Sequence, residues 1–106
     1  MNIRVESLDD KVIIHVSGDL TLVNSTEFRK ELESQIAASG GKKLVLDLSE
    51  VRQIDSAGLG PLVAGLKQSR DKGVDFSLAG VKGKVKDVLE FTRLIKAFEI
   101  RPSVDQ

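Results

Sequence analysis

The sequence predicts an α/β domain: a mixed sheet of four or five strands, opened by an antiparallel hairpin, with parallel inner strands and three to four packed helices. Three observations predict it. Near the N-terminus β-branched residues alternate with polar ones, the mark of half-buried strands. Two later apolar runs read as inner strands, and between and after them apolar residues recur at helical spacing. The resulting order β-β-α-β-α-β-α requires parallel crossovers, which are almost always right-handed. Helices packed on a sheet are the natural way to bury both. The 106 residues suit one domain spanning 1–106 and suffice for one core.

Each element has its own signal. Ile3, Val5 and, less regularly, Leu8 suggest a first strand, stopped by the turn-like Asp9-Asp10. Lys11 to Ser17 follows, with Val12, Ile14 and Val16 on one face and Ile13 and His15 on the other. The two-residue break between these strands predicts a hairpin. Gly18-Asp19-Leu20-Thr21 then leads out of the sheet. Asn24 reads as a helix N-cap, with Glu27 placed to reach back and Val23 and Phe28 placed as a hydrophobic staple. Phe28, Leu32 and Ile36 recur every four residues, an amphipathic helix that ends near Gly40-Gly41.

Lys42 to Leu48 is nearly continuously apolar, the pattern of a strand covered on both faces. Val51, Ile54 and a helix from Ser56 to Lys72 come next, with Leu59, Leu62, Val63 and Leu66 as its apolar stripe and Gly73 as its stop. Val74, Phe76 and Leu78 alternate with Asp75 and Ser77, which predicts another strand. Gly80 and Gly83 punctuate the turn into a helix carrying Val85, Val88 and Leu89. The tail from Leu94 to Ile100 reads equally as a short helix or a strand.

Composition narrows the function classes. Sixteen basic residues balance sixteen acidic ones, so no overall field draws nucleic acid or an anionic membrane. The absence of cysteine removes disulfides and thiolate metal sites. No apolar run approaches a membrane span, and Met1 to Glu6 lacks a signal-peptide core, so a soluble cytoplasmic protein is expected, alone or as a subunit of something larger. His15 is the only histidine and reads as an ordinary sheet position. A zinc site or histidine triad would need unusual partners. Lys82-Gly83-Lys84-Val85-Lys86 reads as a solvated helix start rather than an anion site. Gly58-Leu59-Gly60 lacks the third glycine of a dinucleotide-binding turn, since that position is Val63. No catalytic residue, metal or cofactor is expected.

What remains is the corner Asp55-Ser56-Ala57-Gly58-Leu59-Gly60, where an inner strand passes into a helix. Ser56 has two readings there. Serine before a helix is a common N-cap. Against that, Asp55 and Ser56 stand together at the carboxyl end of a strand, the edge where open α/β sheets bind ligands. Ala57, Gly58 and Gly60 are poor helix formers, glycine costing about 1 kcal/mol relative to alanine. They do supply a corner bare of side chains, against which another protein can lie close. Leu59 is expected partly exposed beside them as a small apolar anchor. Pro61 removes one amide from the ladder, which predicts a distorted first turn or a cap two or three residues later.

The corner, following the strand Leu44 to Leu48, resembles the phosphorylation corner of STAS domains, specifically bacterial anti-sigma-factor antagonists. Gly18-Asp19-Leu20 resembles the family's Gly-acidic-aliphatic exit from its second strand, and the similarity runs from about Ile3 to Ile100. The resemblance implies a STAS-type fold and a binding switch, not an enzyme. The unphosphorylated form would bind an anti-sigma factor, often itself a serine kinase, and so release the sigma factor for transcription. Phosphorylation of Ser56 would end binding, and a metal-dependent serine phosphatase would restore it, with ATP and magnesium belonging to the partner. Asp19, Leu20, Thr21, Asp55, Ser56, Ala57, Gly58, Leu59 and Gly60 would form the contact. Thr21 departs from the acidic residue that many members carry there, leaving Asp19 and Asp55 as substitutes. A monomer or weak dimer is expected.

Two other readings fit parts of the sequence. In one, the chain is a constitutive STAS scaffold or regulatory subunit of a transporter or sensory assembly, and Ser56 only caps a helix. In the other, it is a small nucleotide-binding protein using Gly58 and Gly60, a reading weakened by the missing third glycine.

Overall fold

The computed structural model describes residues 1–105. Strands β1 (Asn2–Ser7) and β2 (Lys11–Leu20) form the N-terminal antiparallel hairpin. Helix α1 (Ser25–Ala38) leads to β3 (Lys43–Ile54), helix α2 (Ser56–Lys72) to β4 (Phe76–Ala79), and helix α3 (Gly83–Phe91) with a 3-10 turn (Leu94–Lys96) to β5 (Glu99–Arg101). The five strands lie in sequence order, β1-β2-β3-β4-β5, with every pair after the first parallel. The undecided tail is therefore both a short helix and a strand.

Sequential order has a consequence for layering. Right-handed crossovers that always step to the same side place their helices on the same face. The core accordingly joins one face of the sheet to the helices: Val12, Ile14, Val16, Leu44, Leu46, Leu48, Phe76 and Leu78 against Phe28, Leu32, Ile36, Leu62, Val85 and Leu89. No described helix packs on the opposite face. Its apolar residues Ile13, Val45 and Ala79 are covered by Val104 of the tail, which Lys11 Nζ pins through the Val104 carbonyl at 2.7 Å. The continuous apolar run of β3 is thus buried by helices on one side and by a strap of chain on the other.

Five local expectations are corrected. Gly18-Asp19-Leu20 does not leave the sheet. Gly18 takes φ +100 beside register shifts, a bulge that keeps β2 paired until Leu20 meets Ile54. Asn24 holds the N-cap position of α1 without capping it, because its side-chain amide donates instead to the Asp19 carbonyl at 2.7 Å. Val23 makes no staple, being 90% exposed. In α2 the helix runs unbroken through Pro61, with no late start. The cap at Asp55 fixes the first turn ahead of the proline, and Gly60 has no Cβ to clash with the proline ring. Val63 of the expected stripe is exposed, and Gly65 takes its place facing α1, where a Cβ would stand 2.7 Å from Leu32 Cδ2.

Candidate functional site

The end of β2, the loop into α1 and the start of α2 meet at the carboxyl edge of the sheet. Asp55 joins them. Its amide donates to the Leu20 carbonyl at 3.1 Å, one carboxylate oxygen accepts the Gly58 amide at 3.1 Å, and the other accepts the Leu22 amide at 3.2 Å. Asp55, not Ser56, is therefore the N-cap of α2, and its carboxylate meets orphan amides that would otherwise face water. Asp19, half-buried, is also engaged, accepting from Gln53 Nε2 at 3.1 Å through its carboxylate.

Ser56 is left over. It is the first helical residue, exposed, and its hydroxyl makes no hydrogen bond among the described residues. The capping reading of Ser56 is thereby removed, because the capping work belongs to its neighbour.

The other expected site residues divide by depth. Thr21 and Ala57 are half-buried, and Gly60 is exposed. Leu20, Gly58 and Leu59 are not surface groups. Leu20 is fully buried and Leu59 is 8% exposed, so Leu59 is a core residue and not an apolar anchor. Gly58 is buried where a Cβ would run into the Leu20 carbonyl oxygen and stand 2.9 Å from Ile54 Cγ1. Its missing side chain lets α2 close against the sheet rather than against a partner. Gly60 differs: a Cβ there would meet only the Arg29 guanidinium, at 3.7 Å.

Two residues escape the sequence reading. Leu22 and Val23 are 74% and 90% exposed, adjacent apolar side chains on the loop whose backbone Asp55 holds. They supply the apolar anchor that Leu59 does not. Their signal was an apolar pair between a strand exit and a polar helix start, which the staple pattern absorbed. An open groove of about 1150 Å³ continues along this edge, lined by Asp19, Gln53, Arg52, Glu50, Lys82 and Lys84 among others. Its charges are mixed, and Ser56 is not part of it.

The helix-free face holds a second polar group. His15 Nδ1 lies 2.7 Å from Asp47 Oδ2, and Nε2 lies 3.1 Å from Glu6 Oε1. Burial pushes the Asp47 carboxyl up, but hydrogen bonds from Ser49 (backbone amide and hydroxyl) and His15, with a Coulombic contribution from His15, hold it below its ordinary 3.8. Among the described residues no cluster of three or more His, Cys, Asp or Glu could hold a metal ion. No described helix is long and apolar enough to cross a membrane.

Comparison with known proteins gives consistent matches. A Thermotoga maritima protein, provisionally named an anti-sigma factor antagonist, is 32% identical over 99 residues, which cover 93% of this chain and 88% of its own. The anti-sigma-B factor antagonist of Listeria monocytogenes is 30% identical over 104 residues, covering 95% of this chain and 90% of the relative. The crystal structure of an anti-sigma factor antagonist from Mycobacterium paratuberculosis superposes with a TM-score of 0.86 at 27% identity, covering 98% of this chain and 87% of that one. The STAS domain itself matches residues 2–106, nearly the full length, and the chain belongs to the STAS domain family.

Proposed function

We propose that this chain is a cytoplasmic anti-sigma factor antagonist, acting as one domain over 1–106. Unphosphorylated, it binds an anti-sigma factor with serine kinase activity through Asp19, Thr21, Leu22, Val23, Asp55, Ser56, Ala57 and Gly60. Leu20, Gly58 and Leu59 support that surface from beneath. It catalyses nothing itself. The kinase transfers the γ-phosphoryl group of ATP to the Ser56 hydroxyl, forming a phosphate ester and ADP, and a serine phosphatase hydrolyses the ester to reset the switch.

One observation carries the reading: at the strand-end edge the Ser56 hydroxyl is exposed and makes no hydrogen bond among the described residues, while the Asp19 and Asp55 carboxylates are both occupied. A phosphoserine adds about −1.5 to −2 charges. The Asp55 carboxylate takes the Gly58 amide, which leaves the Ser56 and Ala57 amides and the α2 dipole to meet that charge without refolding. The partner does not accept it, because its surface must then meet a hydrated dianion on the same edge as the exposed Leu22 and Val23. A penalty of about 4 kcal/mol lowers affinity roughly a thousandfold.

The test uses the cognate kinase and ATP, with phosphate located by mass spectrometry and affinity measured by calorimetry. Phosphate is expected on Ser56, and Ser56→Asp is expected to bind roughly a thousandfold more weakly. Phosphate elsewhere, or undiminished binding by Ser56→Asp, overturns the switch and returns the chain to the scaffold reading.

A further inference from the structure

We propose that Arg29 is the intramolecular receptor for the phosphate on Ser56. The proposal deepens the function given above, since it rests on Ser56 as the modified residue and assigns a second residue to the modified state.

Helices α1 and α2 run side by side in the same direction. Leu32 lies against Gly65, Gln68 Nε2 donates to the Glu33 carbonyl at 3.3 Å, and Arg29 lies over Gly60. The Arg29 guanidinium would be 3.7 Å from a Cβ at Gly60. Ser56 is four residues before Gly60, one helical turn away on the same face, and such positions have Cβ atoms about 5–6 Å apart. The guanidinium is therefore at most about 10 Å from the Ser56 Cβ. A phosphoryl group extends Ser56 toward it, and an arginine side chain spans the rest by rotation.

Gly60 presents no side chain between the two groups. Arg29 is exposed and in no ion pair among the described residues. The other charged groups around Arg29 are Glu27, Lys30 and, one turn on along the face toward α2, Glu33 of α1, together with Asp55, whose oxygens already serve the Leu22 and Gly58 amides. A guanidinium matches two phosphate oxygens in a bidentate pair, which an ammonium does not. The α2 amides and Arg29 together hold the phosphate on its own chain, and Arg29 ceases to be available to a partner.

The experiment places phosphoserine at position 56 during translation, so that no kinase is required, and follows the phosphate by 31P NMR across pH. In the parent chain the second ionisation, ordinarily about 6, is expected about half a pH unit lower than in Arg29→Gln, with Arg29→Lys between them. Gly60→Glu is a second variant that leaves Arg29 in place but engages it while adding a like charge one turn from the phosphate, and its second ionisation is expected at least as high as in Arg29→Gln. Equal titrations in all four chains overturn the role of Arg29. Undiminished binding of the phosphoserine chain to the anti-sigma factor overturns the switch instead, and the titration still decides Arg29.

Discussion

At the strand-end edge, Asp55 gives both carboxylate oxygens to backbone amides and the neighbouring Ser56 hydroxyl stays free. On the helix-free face, His15 is held between Glu6 and Asp47, and Asp47 also accepts the Ser49 amide at 3.0 Å. Both regions gather polar side chains where the sheet meets solvent. In the second they satisfy one another and stiffen β1, β2 and β3 into register. In the first the same kind of bonding is confined to the supporting layer, leaving a hydroxyl and two apolar side chains facing outward. Polar groups that are consumed internally build the fold; the one left unconsumed is available for chemistry.

The strongest way to break this contrast is at Gly58. Gly58→Ala drives a methyl group into the Leu20 carbonyl and Ile54, and is expected to cost about 3 kcal/mol in urea denaturation. Gly60→Ala, two residues on, is expected to change stability by less than about 1 kcal/mol, since the gain in helix propensity opposes the clash before Pro61. Equal effects would show that the corner is not divided into a supporting and an outward layer. Next, the double variant Leu22→Ser, Val23→Ser removes the outward apolar pair. Anti-sigma factor binding, followed by fluorescence of the partner against a chain without Trp or Tyr, is expected to weaken about tenfold or more with an unchanged melting temperature.

The smallest effect belongs to the helix-free face. Asp47→Asn is expected to cost about 1 kcal/mol at neutral pH and to leave partner affinity unaltered. The folded-state value of Asp47 lies below 3.8, so its contribution is fully present above that pH and is lost as pH falls through the lowered value. Chemical denaturation as a function of pH should therefore show a steeper acid loss in the parent than in Asp47→Asn. A partner affinity that follows Asp47 would show that the two regions are coupled.

Most elements were legible because their signals are local. The alternation of Val12, Ile14 and Val16, the four-residue recurrence of Phe28, Leu32 and Ile36, and the stop at Gly73, which takes φ +69, depend on residues within a few positions of one another. The errors cluster where distant segments compete for the same group. Asn24 had a local reason to cap α1, yet the Asp19 carbonyl offered it another acceptor. Val23 had a local reason to pack on Phe28, but the loop that Asp55 anchors holds it in solvent. Leu59 and Gly58 resemble surface residues of a bare corner until Leu20 is placed against them.

By itself the sequence determined the α/β class, the element order, the family resemblance and the position of the serine, because hydrophobic periodicity and turn residues are written along the chain. Only the tertiary structure decided which residues of the corner face inward, that Asp55 and not Ser56 caps α2, that Asp55 holds the loop carrying the exposed Leu22 and Val23, and that Arg29 overlies Gly60. Most of those relations join residues about thirty apart in sequence, such as Leu22 with Asp55 and Arg29 with Gly60, and no periodicity in either segment encodes the other.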